Sequence, residues 1–191
     1  MRIISGLFDT QEQAASVAEA LRDAGIADDD ISIVGPDGKA HHSVAEDVGV
    51  GTAVGGAGGL LAGLASFAIP GIGPVVGVGW LAATLIGAAA GGVAGGILGG
   101  LTSSGVDEND AHVYAEGIRR GGTLVTARVD ETQADAAQAI LSSGGAADLA
   151  ARRSEFESGG WSRFDETVEN DPVEAYEERK AGDPIVAPFP R

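Results

Sequence analysis

Residues 48–106 read VGVGTAVGGAGGLLAGLASFAIPGIGPVVGVGWLAATLIGAAAGGVAGGILGGLTSSGV, 59 residues without one charged side chain, holding 19 of the chain's 31 glycines. At intervals of four, one row of glycines is Gly51, Gly55, Gly59 and Gly63. A second is Gly87, Gly91, Gly95 and Gly99, with a parallel row at Gly92, Gly96 and Gly100. Four residues make about one helical turn, so each row predicts a flat helix-packing stripe on one face. Glycine costs a water-exposed helix about 1 kcal/mol per residue relative to Ala. In lipid the backbone must bond to itself, and small residues there let helices approach closely. Leu60, Leu61, Leu64, Phe67, Val75, Val76, Leu81, Leu85, Ile97 and Leu98 supply the remaining apolar faces.

Between the two rows lies Ile69-Pro70-Gly71-Ile72-Gly73-Pro74, in which Pro70, Gly71, Gly73 and Pro74 predict a hairpin turn. The arms, Val48–Ala68 and Val75–Leu101, have 21 and 27 residues, against the ~20 that cross a hydrocarbon core. The expected unit is a glycine-zipper helical hairpin spanning the inner membrane, with membrane lipid as a partner. The alternative is a hairpin packed against other copies of the chain as a homo-oligomer in the cytoplasm. The turn carries no Lys or Arg while Lys39, Arg119 and Arg120 flank the hairpin, which places both termini in the cytoplasm. MRIISGLF runs straight into polar DTQEQ, unlike a secretory signal.

The flanks are acidic. Twelve Lys and Arg stand against 28 Asp and Glu, a net charge of −16. Such a chain repels phosphate backbones, so no nucleic-acid partner is expected. There is no Cys, which excludes disulfides, thiolate zinc sites and thiol catalysis.

The two flanks read as halves of one domain. Arg2–Phe8 is a strand-forming run; Asp9 and Glu12 form a capping-box pattern; Ala14, Val17, Ala18 and Leu21 recur at helical spacing; Ile31–Val34 is a second strand. After residue 106, Asp107 caps a helix with Ala111, Tyr114, Ala115 and Ile118 on its apolar face. Thr123–Val129 follows as a strand, then an Asp130-capped helix and a short strand at Leu149–Ala151. Phe8-Asp9, Gln13-Ala14, Leu21, Gly25 and Asp28 are echoed by Val129-Asp130, Gln133-Ala134, Leu141, Gly145 and Asp148. Two such units predict an α+β, ferredoxin-like βαββαβ domain, four antiparallel strands with two helices on one face. Residues 1–47 and 107–151 are its halves, 48–106 the inserted hairpin, and 152–191 an acidic, mostly disordered tail open to a protein partner through Trp161, Phe164 and Tyr176.

The search for chemistry yields no catalytic residue, cofactor site or metal site. His41-His42 and His112 are the only histidines, and no third ligand stands at a helix-face spacing from them. Gly35-Pro36-Asp37-Gly38 lacks the Gly-Lys-Ser/Thr of a phosphate loop. Asp28-Asp29-Asp30 reads as a solvated cluster, and Arg119-Arg120 as helix-end charges or contacts for anionic lipid headgroups.

F-D-T-Q-E-Q-A at 8–14, D-D-D-I-S-I-V-G at 28–35, I-P-G-I-G-P at 69–74 and E-G-I-R-R-G-G-T-L-V-T at 116–126 together resemble the bacterial general stress proteins, the heat- or low-temperature-induced, YflT-like group. The resemblance covers about residues 2–150. It implies a stress-induced, membrane-associated protein without an assigned reaction, and supplies no catalytic residues. The resulting expectation is a non-enzymatic, membrane-anchored stress-response protein that self-associates. The alternative is a soluble ferredoxin-like regulatory or ligand-binding module that oligomerises through the hairpin.

Overall fold

A computed structural model describes residues 1–37, 65–69, 71–90 and 96–165. Strand β1 (Arg2–Phe8) leads into helix α1 (Gln11–Asp23). Its cap is Thr10, whose hydroxyl accepts from the Gln13 amide at 3.2 Å, one residue later than the expected Asp9. The apolar spacing does what it predicts, since Ala14, Val17, Ala18 and Leu21 are all buried. A short 3-10 turn at Asp28–Asp30 precedes strand β2 (Ile31–Pro36).

The uncharged stretch departs from expectation. Ala65–Ile69 and Gly73–Val78 are strands, β3 and β4, paired antiparallel from Ile69↔Gly73 to Ala65↔Gly77. The apolar turn is therefore the bend of a β-hairpin: Gly71 (φ 75°) and Gly73 (φ 97°) occupy the left-handed region, and the Ile72 amide donates to the Ile69 carbonyl at 3.1 Å. β-Branched Val75, Val76 and Val78 suit a pleated surface better than a helix. Gly79, at φ 90°, ends β4 and turns the chain into α2 (Trp80–Ala90); α3 (Gly96–Ser103) follows. The described residues of the expected second span, Val75–Leu101, thus form a strand and helical segments at 80–90 and 96–101, and Ala65–Ala68 of the first span lies in β3. Among the described residues, no helix is long and apolar enough to cross a membrane. Gly51, Gly55, Gly59, Gly63, Pro70, Gly91 and Gly95 lie outside the described residues, as do His41 and His42.

Next come α4 (Glu108–Arg119), β5 (Thr123–Val129), α5 (Glu131–Ser143) and α6 (Leu149–Ser158). The sheet order is β1-β5-β2-β4-β3, antiparallel throughout. β5 lies between β1 (Ser5↔Thr126) and β2 (Ile33↔Val125), so the two flanks do meet, as their repeat requires. The fourth strand expected at Leu149–Ala151 is the first turn of α6, because the Asp148 carboxylate takes the Ala151 amide at 2.7 Å and starts a helix there. The Ala147 amide donates to the Leu7 carbonyl at 2.8 Å on the free edge of β1, and no strand among the described residues pairs with that edge. The result is a mixed α/β, five-stranded sheet in place of four strands in ferredoxin-like order.

Helices cover both faces, not one. On one side Ala14, Val17, Leu21, Ala134, Ala137 and Leu141 from α1 and α5 pack on Ile4, Phe8, Ile31 and Val125. On the other, Leu81, Leu85, Ile97, Leu101, Ala111, Tyr114 and Ile118 from α2–α4 pack on Leu7, Val34, Val75 and Leu124. Ile69, Ile72, Val75, Leu81, Leu85, Ile97 and Leu101 of the uncharged stretch thus belong to this second core layer. Burial of each Leu, Ile or Val stabilises by about 1.5–3 kcal/mol, so at these described positions packing accounts for the absence of charge. Gly77 and Gly100 permit that packing: a Cβ on the first would stand 2.7 Å from the Ala82 methyl, and one on the second would strike Leu85.

Space around the glycines separates two outcomes. Gly79→Ala would drive a Cβ into the Ile31 carbonyl at an unfavourable φ, and should cost about 2–4 kcal/mol in urea denaturation. Gly99→Ala, on a helix with nothing within 4 Å of the new methyl, should stabilise by about 0.5–1 kcal/mol. A large loss at Gly99 would show instead that its face is covered by another copy of the chain.

Candidate functional site

Helix α4 carries the polar chemistry of the molecule into its interior. The Asp107 carboxylate accepts from the Asn109 amide at 2.9 Å and starts the helix where its spacing predicts. Residues Ala111 through Ile118 are all buried, and three of them, His112, Tyr114 and Glu116, are ionisable. Spaced i and i+4, His112 and Glu116 share one side of the helix.

Glu116 is 1% exposed. Its carboxylate is held by Arg119 and by Arg120, the latter through Nε at 2.6 Å. Each guanidinium also lies over a ring: Arg120 is 4.3 Å from the Phe156 centroid and Arg119 is 5.3 Å from that of Phe164. Phe156 in turn meets Trp161 edge-on at 5.7 Å. Arg119 and Arg120 are therefore committed to an internal acid and two aromatic faces, which neither of the readings made for them anticipates. The aromatics of the supposed tail are where those arginines end: Arg152–Ser158 belongs to α6, and Phe164 is 2% exposed in the core. Residues 166–191, with Tyr176, lie outside the described residues.

Two clefts open beside the α4–α6 contact. The smaller, about 180 Å³, includes Asp9, Arg120, Gly121, Gly122, Arg152 and Phe156 in its wall. Its charges are matched, since Arg152 pairs with Asp9 at 2.6 Å and with Glu155 at 3.2 Å. The larger, about 360 Å³, has Glu108, His112, Arg153, Glu157, Trp161 and Arg163 in its wall, with Asn109 and Ser162. Arg153 binds Asp110 at 3.1 Å. Two buried polar atoms of this wall, His112 Nδ1 and Trp161 Nε1, have no hydrogen-bond partner among the described residues. His112 is 9% exposed, and burial lowers its pKa below 6.5; Arg163 and Arg153 lower it further, with Glu108 opposing. Its imidazole is neutral at pH 7. On the sheet side of α4, burial and Asp110 push the Tyr114 phenol well above its ordinary value, and its hydroxyl donates to the Ser5 carbonyl at 3.2 Å.

Other residues singled out in the sequence have structural partners. Asp30 of the acidic triplet receives Arg128 at 2.9 Å, and its carbonyl accepts from Trp80 Nε1 at 3.1 Å. Arg128 lies 4.9 Å from the Trp80 ring centroid, so this tryptophan is tied into the domain and not set at a lipid interface. No group of three potential metal ligands occurs among the described residues. The signal that would have drawn attention to the larger cleft is His112, an imidazole set within the buried run Ala111–Ile118 of α4.

Residues 4–69 match the family model of the heat induced stress protein YflT domain, covering β1, α1, β2 and β3 and ending at the apolar turn. No curated protein and no solved structure matches the chain.

Two variants probe this geometry. Glu116→Gln leaves Arg119 and Arg120 without their buried counter-charge, and should cost about 2–4 kcal/mol, below the full penalty for a buried pair because Arg120 is partly exposed. His112 gives a pH signature. Its folded pKa lies below the unfolded 6.5, so the unfolded chain takes the proton first, and stability falls as pH drops from 6.5 through the folded value. Denaturation at pH 7.5 and at pH 5, above and below the unfolded pKa of about 6.5, should show a smaller acid loss in His112→Gln than in the wild type.

Proposed function

We propose that this chain, which its YflT domain supports as a general stress protein, serves the stress response as a non-enzymatic binding module. A domain of this kind fits a stress-response role. The observation that carries the binding reading is the larger cleft on α4. Its wall offers buried, unpartnered N–H chemistry, two guanidiniums and an aromatic ring in one place, a combination suited to holding a small polar molecule. The same reading takes the cytoplasm as its site of action and excludes nucleic acid as a partner, because the net charge is −16. Self-association through the glycine-rich residues 48–64 and 91–95 belongs to it as well.

Two experiments test it. Lysate from cells expressing the untagged chain is washed with carbonate and centrifuged; the protein is expected in the supernatant. Retention in the pellet, with release only by detergent, would restore a membrane anchor. The purified full chain is then heated with pools of small polar metabolites. A ligand at a hundred times its Kd stabilises by about 2.7 kcal/mol, so at least one pool should raise Tm by roughly 5–10 °C, and Trp161→Phe should abolish the rise. If no pool shifts Tm, the binding-module reading fails.

A further inference from the structure

We propose that the His112–Trp161 cleft binds a small organic monocarboxylate; this rests on the binding-module reading above. The argument begins with Trp161. An indole Nε1–H can only donate, and here it is buried with no acceptor among the described residues. A buried donor left unpaired carries a desolvation cost, which an incoming oxygen acceptor removes. His112 Nδ1, buried in the same wall, lacks a partner too. Arg153 and Arg163 stand in the wall with them. Donors and guanidiniums converging on one cleft select an anionic oxygen pair, the chemistry that carboxylate and phosphate share.

The acidic residues decide between those two. Glu108 and Glu157 line the same cleft, and Arg153 already shares its charge with Asp110 at 3.1 Å. A phosphate dianion would face two carboxylates with little more than one guanidinium uncommitted. A monocarboxylate carries half that charge and spreads it over two oxygens, one for each kind of donor. The cleft volume, about 360 Å³, leaves room for an organic body beside the Trp161 ring. Glu108 and Glu157 further suit a cationic substituent on that body, as in an amino acid.

The test uses the two indoles of the full chain. In the ¹⁵N-labelled protein the Trp80 indole is an internal control, because its Nε1–H already donates to the Asp30 carbonyl at 3.1 Å. Trp161→Phe assigns the second signal by removing it. Acetate, glycine and inorganic phosphate are titrated separately, with chloride matching ionic strength. Acetate or glycine is expected to move the Trp161 indole signal along a saturating curve while that of Trp80 stays in place. Arg163→Gln, at an exposed position, should weaken this binding roughly tenfold, the loss of one charge-assisted contact of about 1.4 kcal/mol. Saturation by phosphate alone would overturn the carboxylate assignment and leave the binding module standing. No saturating movement with any of the three overturns the assignment as well. Whether the module falls with it is then read from the metabolite pools, which report any ligand by Tm.

Discussion

The ladder that holds Thr123–Val129 between Arg2–Phe8 and Ile31–Pro36 is the contact on which the other contacts rest. β1 and β2 are joined by α1 but do not pair with each other; each needs β5 to satisfy its inner edge. β5 is buried along nearly its whole length, on both faces. Its position gives α1 and α5 one surface to cover and α2–α4 another. It also fixes α4, with three residues between its end and the strand, and so sets Arg119 and Arg120, paired to Glu116, against Phe164 and Phe156. The clefts beside α6 exist because that helix is clasped to α4 through Phe156 and Phe164, leaving space on either side of the clasp.

What could be read in the sequence was local and amphipathic. α1, α4 and α5 announce themselves through an acidic or hydroxyl cap followed by apolar positions at helical spacing, and β1, β2 and β5 through short β-branched runs between turn residues. The repeat between Phe8–Asp28 and Val129–Asp148 correctly implied that the flanks assemble. It could not reveal that its last echo fails: Asp148 is a better helix cap than Leu149–Ala151 is a strand, and no strand among the described residues pairs with the outer edge of β1.

The uncharged stretch was opaque for a different reason. Where most residues are Gly, Ala, Val, Leu or Ile and none is charged, there is no polar face to define a period. A four-residue glycine rhythm can then be laid over strand, turn and helix alike. What decides is the left-handed backbone at Gly71, Gly73 and Gly79, which only a three-dimensional path shows. The larger cleft was hidden similarly. Its components come from 108–112, 153–157 and 161–163, and nothing local marks Trp161 and His112 as neighbours in one wall.

The place of β5 along the chain also bears on how the molecule is made. A ribosome adding 5–20 residues per second takes roughly 5–20 s to travel from Pro36, the end of β2, to Val129, the end of β5. During that interval β2 can pair with β4, and β4 with β3, since all three are already synthesised. β1 has no such neighbour, and Ile4, Leu7 and Phe8 must wait with their strand edge open. Nascent chains of this protein are consequently exposed to mispairing at Arg2–Phe8 until Thr123–Val129 has been made.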